Sequence, residues 1–214
     1  MKMTRVRKHI LIVVLALYIV VLAGCGGASS STPPAPTKPS SAATSAATEQ
    51  PVPVISGTQA SGSDIPDTQV FVKYTSSSGK YQLVVPEGWA QTISGTDVSF
   101  VSNLNALQVT LTNTSTQPTA SSARNDQAVT LQQTGRAIRD VQVKDVQLPN
   151  GTAVLITYTS NSDPNSVTNK QVRLENNRYL FFRNGKLAAL TLSAPAGADN
   201  VDQWARIASS FRWV

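Results

Sequence analysis

The chain has 214 residues, of which 41% are hydrophobic and 14% are charged, a low charged share beside about 25% in typical globular proteins. Its formal net charge is +6, but four of its 18 basic residues (Lys2, Arg5, Arg7 and Lys8) lie in the first eight positions. If these leave with a leader segment, the remaining basic residues nearly balance the 12 acidic ones, and they form no stripe or patch. The composition therefore argues against nucleic-acid binding, and the length suits one domain of common size or two small ones.

The amino-terminal segment has the layout of an export signal. A basic stretch ending at His9 is followed by the apolar run Ile10–Leu22, which is shorter than the roughly 20 residues that a membrane-spanning helix needs. The motif Leu22-Ala23-Gly24-Cys25 comes next and resembles the lipobox of bacterial lipoproteins. The resemblance implies cleavage between Gly24 and Cys25, with residues 1–24 as the signal peptide. An uncleaved helix from Ile10 to about Gly27 is the alternative, which the glycines near its end disfavour.

The lipobox resemblance also implies an anchor. Diacylglycerol would be attached to the Cys25 sulfur and a further acyl chain, such as palmitate, to the new amino group. Two or three such chains give stable binding to a bilayer. We therefore expect a protein held on the extracytoplasmic face of the cell membrane, with the covalent lipid on Cys25 and no other cofactor.

Residues 25–68 read as a linker. They are mostly Ala, Ser, Thr, Pro and Gly, a composition that does not bury enough apolar surface to offset the entropy of ordering. We expect a disordered tether between the lipid and a folded domain spanning residues 69–214.

Alternating apolar residues predict strands in that domain. Four early strands are expected at Val70–Tyr74, Tyr81–Val85, Val98–Val101 and Ala106–Thr112, before a helix over Ala123–Gly135 capped by Ser121 or Ser122. Two hairpins follow, each turning at Asn-Gly: Val141–Leu148 with Thr152–Thr159, and Gln171–Arg183 with Lys186–Leu192. A phase shift between Val143 and Val146 suggests a bulge.

A final helix is expected from Asn200 to Arg212. Asp199 suits its N-cap, and an apolar stripe at helical spacing predicts packing on a sheet: Val201, Trp204, Ile207, Ala208 and Phe211. Because hairpins predominate, the order of elements favours an α+β domain with an antiparallel sheet.

Two segments of the domain carry a family resemblance. Gly79-x-Tyr81-x-Leu83-x-Val85-Pro86-x-Gly88-Trp89 looks like the opening hairpin of the PsbP-like family, whose fold is shared with the MOG-type Ran-binding proteins. The ending, Leu192-Ser-Ala-Pro195 followed by Trp204 and Ser210-Phe211-Arg212, is similar to theirs as well. The resemblance implies an αβα sandwich with a central antiparallel sheet of six or seven strands covered by helices. It also implies a binding or assembly-helper domain. PsbP proteins bind metal through His, but the mature chain would contain no His, which puts a metal role here in doubt.

The catalytic chemistry open to the mature chain is narrow. His9 and Cys25 are the only histidine and cysteine of the sequence, and His9 would leave with the signal peptide. Loss of His9 and attachment of lipid to Cys25 exclude Ser-His-Asp and Cys-His catalytic systems and metal sites with His or Cys ligands. A single cysteine also excludes an intramolecular disulfide. Ser-Lys or carboxylate-pair chemistry stays possible in principle. Nine acidic residues lie from Glu87 onward, in no recognisable constellation: Glu87, Asp97, Asp126, Asp140, Asp145, Asp163, Glu175, Asp199 and Asp202.

Three other groups of residues are candidates for binding a ligand or partner. Asn161, Asp163, Asn165 and Asn169 offer oxygen ligands, but their spacing is not that of a calcium loop, and we interpret them as a polar loop. Trp89 and Trp204 are expected in the core, with Trp213 undecided between core and surface. Arg136, Arg139 and Lys144 form a small basic cluster, interpreted as a solvated face.

The sequence thus predicts a lipid-anchored, non-catalytic binding or assembly-helper module. Its partner would be another envelope protein or a small exported ligand. Two alternatives stay open: a cell-envelope hydrolase using Ser, Lys and carboxylates, and a passive structural surface protein. The hydrolase predicts a cleft where such groups converge.

Overall fold

Strands dominate the chain after residue 70, where apolar and polar side chains alternate. The computed structural model describes residues 49–54 and 63–214. The strands are β1 (Phe71–Ser76), β2 (Tyr81–Pro86), β3 (Ala90–Ser94), β4 (Asp97–Ser102), β5 (Asn105–Asn113), β6 (Arg139–Leu148), β7 (Gly151–Asn161), β8 (Arg173–Arg183), β9 (Lys186–Pro195) and β10 (Arg212–Trp213). The helices are α1 (Ala120–Asn125), α2 (Gln127–Thr134) and α3 (Val201–Ser210).

The strands form two antiparallel sheets. Seven strands make the central sheet in the order β3-β4-β5-β9-β8-β7-β6. The small sheet has the order β1-β2-β10, with β2 in its middle. The predicted α+β class and the antiparallel sheet of six or seven strands are therefore confirmed. The sequence did not predict β3 or the separation of β1 and β2 into a second sheet.

One face of the central sheet packs against α3 and the small sheet. The main core lies there and includes Leu107, Val109, Leu190, Leu192, Tyr179 and Phe181 from the central sheet, Tyr81 and Leu83 from β2, and Trp204, Ile207 and Phe211 near the carboxy terminus. The predicted stripe of the last helix is thus confirmed at four of its positions. The fifth, Val201, is 73% exposed, which differs from the prediction.

The opposite face packs against α1 and α2. A second core joins Ala120, Ala123 and Ala128 of these helices to Val154, Ile156 and Tyr158 of β7 and to Leu180 of β8. Because helices lie on both faces, the αβα sandwich is confirmed. Among the described residues, no helix is both long and apolar enough to span a bilayer.

Several boundaries differ from the predicted ones. The helix expected over Ala123–Gly135 is two helices that meet at Asp126, and Thr119 caps the first by accepting a hydrogen bond from the Ser122 N–H. Asn200, not Asp199, is the N-cap of α3. The Asp199 N–H donates instead to Asp64 Oδ1 at 2.9 Å, because the chain enters the helix one residue later.

The irregular pairing in β6 also lies elsewhere. It falls between Arg139 and Gln142, whereas a bulge was expected between Val143 and Val146. Asp140 sits in this irregularity with φ +56°, a left-handed conformation that Asp tolerates better than most residues. The apolar phase shift in the sequence therefore marks a regular strand whose two faces are both partly covered.

Two segments that the sequence assigns to the linker contact the domain. Ile65 is 4% exposed, and its N–H donates to the Asn200 side-chain oxygen at 2.6 Å. Ser63 is 6% exposed, and its carbonyl accepts a hydrogen bond of 2.7 Å from Asn105 Nδ2. Residues 49–54 contact the end of β7, as described below. The signal peptide and the rest of the linker lie outside the described residues and stay predictions.

Candidate functional site

A cleft of about 470 Å³ opens between α3 and strands β6, β7 and β8. It lies on the same face of the central sheet as the main core, at the end where the cover of α3 stops. The strand register shows why it forms. Leu155 pairs with Tyr179, and both are in the main core, but the next two pairs on this face are Thr157 with Asn177 and Thr159 with Glu175. The sheet surface changes here from mainly apolar to mainly polar, so the apolar surface that α3 covers ends at this point.

The first turns of α3 form the wall of the cleft. Val201, Trp204 and Ala205 line it, with Val201 73% exposed and Trp204 8% exposed. Val201 follows the apolar stripe of the helix, but below it lies the polar floor instead of a packed strand. An apolar wall thus faces a floor of hydroxyl and amide groups, which is the usual composition of a ligand site.

Two carboxylates border the cleft, and each is held by the chain itself. Asp140 Oδ2 accepts a hydrogen bond of 2.9 Å from Thr159 Oγ1. Glu175 Oε1 accepts one of 3.3 Å from the backbone N–H of Gly197, in the loop before α3. Both acids therefore hold the shape of the rim.

A buried guanidinium supports the floor. Arg173 is 5% exposed and donates to the Ala137 carbonyl at 2.7 Å, to Asn161 Oδ1 at 3.1 Å and to Thr159 Oγ1 at 2.5 Å. Burial lowers the pKa of Arg173, while the nearby charge of Asp140 acts in the opposite direction. These hydrogen bonds fix Thr159, and through it the position of Asp140 at the rim.

Residues 49–54 are attached at the end of this floor through Asn161, the last residue of β7. The Asn161 side chain accepts from the Val52 N–H at 3.0 Å and donates to Glu49 Oε1 at 3.0 Å and to the Gln50 carbonyl at 2.8 Å. Arg136 pairs with Glu49 at 3.0 Å. Burial acts to raise the pKa of Glu49, but hydrogen bonds from Asn161 and a neighbouring glutamine, with the charge of Arg136, outweigh it and lower the pKa. This segment before the domain, which we call the strap (residues 49–54), is thus connected to the cleft through Asn161 and Arg173.

The residues predicted for lipidation and cleavage, Cys25 and Gly24, lie outside the described residues. Two of the asparagines that were weighed as calcium ligands and interpreted as part of a polar loop have side-chain partners within the chain. Asn161 holds the strap, and Asn165 Oδ1 accepts the N–H groups of Val167 and Thr168, both at 3.0 Å. Asp163 has a 93% exposed side chain, and no cluster of three His, Cys, Asp or Glu suited to a metal occurs among the described residues. The interpretation as a polar loop fits these contacts.

The tryptophans and the residues of the basic cluster have different surroundings in the structure. Trp89 and Trp213 pack partly buried against the main core, and Trp204 is both core and cleft wall. Arg136 is engaged by Glu49, while the Arg139 guanidinium donates to the carbonyl of Ile138. Each of these arginines therefore has a partner close by in the folded chain.

Sequence reasoning missed the polar floor of the cleft. Thr157 and Asn177 interrupt the apolar alternation of β7 and β8, and this interruption was the available signal. Opposite Val201 it marks a place where an apolar helix position has no apolar partner. The pairing that brings Thr157 beside Asn177 is not visible from either strand alone.

Among the comparisons with known proteins, only the one with solved structures finds matches. No protein-family model matches it, and no curated protein matches it significantly. The structure is similar to the PsbP protein of the cyanobacterium Synechocystis, with a TM-score of 0.49 and 16% identity over 71% of this chain and 98% of that one. It is also similar to the Ran-binding protein Mog1p of Saccharomyces cerevisiae, with a TM-score of 0.47 and 11% identity over 69% of this chain and 97% of that one.

A third similar structure is a protein of Bacteroides thetaiotaomicron, with a TM-score of 0.42 and 10% identity. The match covers 66% of this chain and about half, 48%, of that one. The first two structures bear the names of the family that the opening and closing motifs of this sequence resemble.

Proposed function

We propose that this protein is a lipid-anchored binding module whose cleft holds a ligand on the extracytoplasmic face of the membrane. The observation that supports this most is Val201, an apolar residue of the core-facing stripe of α3 that stays 73% exposed above a polar floor. A passive structural protein has no need to leave such a residue uncovered beside a cleft of about 470 Å³.

The lining indicates the chemistry of the ligand. Thr157, Asn177 and Gln142 present neutral hydroxyl and amide groups, while Val201 and Trp204 present apolar surface. A ligand with hydrogen-bonding groups along one side and an apolar part on the other fits both. A short extended segment of another envelope protein and a small exported molecule share this chemistry.

A binding role is favoured over hydrolysis by the same lining. The hydrolase alternative needs a Ser-Lys pair or two available carboxylates, and neither Ser nor Lys lines the cleft. Its two carboxylates, Asp140 and Glu175, accept hydrogen bonds from the chain. We therefore propose that the cleft binds without catalysing a reaction.

In-cell photocrosslinking of the full chain tests the cleft. A photoreactive residue replaces Val201, and the matched control carries it at Val129 of α2, which is 39% exposed on the opposite side of the central sheet. We expect a discrete adduct, a protein or a small molecule, at position 201 and not at 129. Equal adducts at both positions, or none at either, would contradict a ligand site in the cleft.

The anchor is proposed from the lipobox resemblance and has its own test. Cys25→Ala is expected to abolish incorporation of labelled fatty acid and to leave the signal segment uncleaved by the lipoprotein peptidase. Ser29→Ala, a few residues further along, serves as the control and should leave labelling unchanged. Undiminished labelling of Cys25→Ala would overturn the anchor without bearing on the cleft.

A further inference from the structure

The edge strand β3 differs from every other strand of the central sheet. All five of its residues, Ala90–Ser94, are exposed, and Ile93 is 60% exposed. It pairs with β4 on one side only, and in the described part of the chain its outward backbone groups have no partner. The strand contains no charge, no proline and no register shift against β4.

Exposed edges of this kind are normally protected. Proteins place charges, prolines or bulges on edge strands, since unpaired N–H and C=O groups attract the strands of other molecules. The opposite edge, β6, is protected in this manner. It has four charged residues, Arg139, Asp140, Lys144 and Asp145, and an irregular pairing at its start. The chain therefore protects one edge of the sheet and leaves the other open.

We propose that β3 pairs with β3 of a second copy of this chain, joining two central sheets across a twofold axis. Each central sheet has one open edge, β3, and this favours a second copy as the partner. When two β3 strands pair antiparallel, the dimer is closed and the two protected β6 edges lie outermost. Two open edges would instead give an open-ended fibre.

The residues of β3 suit pairing with themselves. With the twofold axis at Thr92, this residue lies opposite Thr92 of the second copy, Gln91 lies opposite Ile93, and Ala90 lies opposite Ser94. No like charges meet, and a Thr–Thr pair across strands is favourable.

The dimer is expected to be weak in dilute solution. Pairing of five residues buries less than the roughly 1,200–2,000 Å² of a standard stable interface. Anchoring two copies in one membrane raises their effective concentration, and this part of the proposal rests on the lipid anchor proposed above.

Disulfide trapping in membranes of cells that make the full chain tests the pairing. Thr92→Cys puts two thiols opposite each other, at the 4.4–6.8 Å between Cα atoms that a disulfide needs. Val167→Cys, at an 89% exposed loop position, is the matched control for collision. The unsubstituted chain has Cys25 as its only thiol, so it shows how much crosslinking occurs through Cys25 alone. A lipid on the Cys25 sulfur would prevent that crosslinking, and this control therefore tests the anchor separately from the pairing.

We expect mild oxidation to convert Thr92→Cys to a disulfide-linked dimer of twice the chain mass, with the other two chains at background. Thr92→Lys sets like charges opposite each other and should lower crosslinking from a photoreactive residue at Gln91 by roughly fivefold. Val129→Lys should leave that crosslinking unchanged. Dimer formation that is equal for Thr92→Cys and Val167→Cys, or crosslinking of position 92 to a different protein, would overturn the proposal.

Discussion

Arg173 is the residue on which the floor of the cleft most depends. Its guanidinium is buried, has no carboxylate at ion-pair distance in the described part of the chain, and is satisfied by oxygens of Ala137, Asn161 and Thr159. A planar group with several N–H donors can reach all three acceptors at once, whereas an ammonium group on a lysine stem does not match that geometry.

We expect Arg173→Lys to lower the free energy of unfolding by about 1–3 kcal/mol, because buried acceptors lose their donors. Urea denaturation measures the change. Arg183→Lys, at an exposed position of the same strand, should change it by less than about 0.5 kcal/mol. Equal effects of the two substitutions would show that the buried hydrogen bonds contribute nothing specific.

Tyr81 gives a prediction about alkaline pH. The residue is fully buried in the main core, stacked on Phe211 at 5.5 Å between ring centroids, and its hydroxyl has no hydrogen-bond partner. Burial, assisted by neighbouring Tyr74, raises the pKa of Tyr81 to about 12 and outweighs the nearby Ser76 side chain, which acts to lower it. The folded state therefore keeps a proton that the unfolded state releases near pH 10.

The difference between the folded and unfolded pKa of Tyr81 makes the free energy of unfolding depend on pH. Its contribution is fully present below pH 10 and is lost as pH rises from about 10 to about 12. Tyr81→Phe should be at least as stable at pH 7, since it removes an unpaired buried hydroxyl, and should lose less stability between pH 10 and 12. Denaturant unfolding across this range checks it. An unchanged alkaline slope in Tyr81→Phe would contradict the assignment.

Among the elements, α3 shows most directly how much sequence periodicity predicts. Its helical spacing and its packing on a sheet follow from the apolar stripe, and Trp204, Ile207, Ala208 and Phe211 are buried as expected. Val201 is exposed because burial depends on what β7 and β8 place opposite, and Thr157 and Asn177 lie there. A helix pattern contains no information about that partner surface.

Ile207 and Val201 therefore make a matched pair on one helix stripe. Ile207→Ala, at a position with no exposed surface, should lower the free energy of unfolding by about 2–5 kcal/mol because it opens a cavity. Val201→Ala should change it by less than about 0.5 kcal/mol. If both cost the same in urea denaturation, Val201 is packed in solution and the cleft wall is not as described.

Amino-acid composition alone did not predict the contacts of the strap with the domain. Polar and small residues predicted disorder up to Thr68, but Glu49 and Val52 bond to Asn161 and Ile65 bonds to Asn200. Asn161 ends β7 and Asn200 is the N-cap of α3, and both are distant in sequence, so no local pattern around residues 49–54 or Ile65 reveals these contacts.

Attachment of the strap to the domain should depend on pH. The pKa of Glu49 is lowered from its ordinary 4.5, so its contribution is present above about pH 4.5 and is lost as pH falls through the folded-state pKa. Hydrogen-exchange protection of the Val52 amide should fall over that range, while the Ile65 amide, bonded to the uncharged Asn200, stays protected. Glu49→Gln should remove the pH dependence. Parallel loss at both amides would indicate general unfolding instead.

For the whole molecule, the sequence predicted class and architecture well. Hairpins with Asn-Gly turns and an amphipathic last helix were enough for an antiparallel α+β sandwich, because each signal is local. Strand order, the separate small sheet and the cleft are results of long-range pairing. The position of the cleft follows from where α3 begins relative to β7 and β8, which depends on three segments at once.

The most direct test of the binding role combines the crosslink at Val201 with a substitution that fills the cleft. Ala205 lines the cleft and is exposed, so Ala205→Trp occupies its space without disturbing the core. We predict that the full-length chain with a photoreactive residue at Val201 gives a discrete adduct in cells, and that Ala205→Trp abolishes it while leaving thermal stability unchanged. An adduct of equal yield in the filled variant would contradict a ligand held in the cleft.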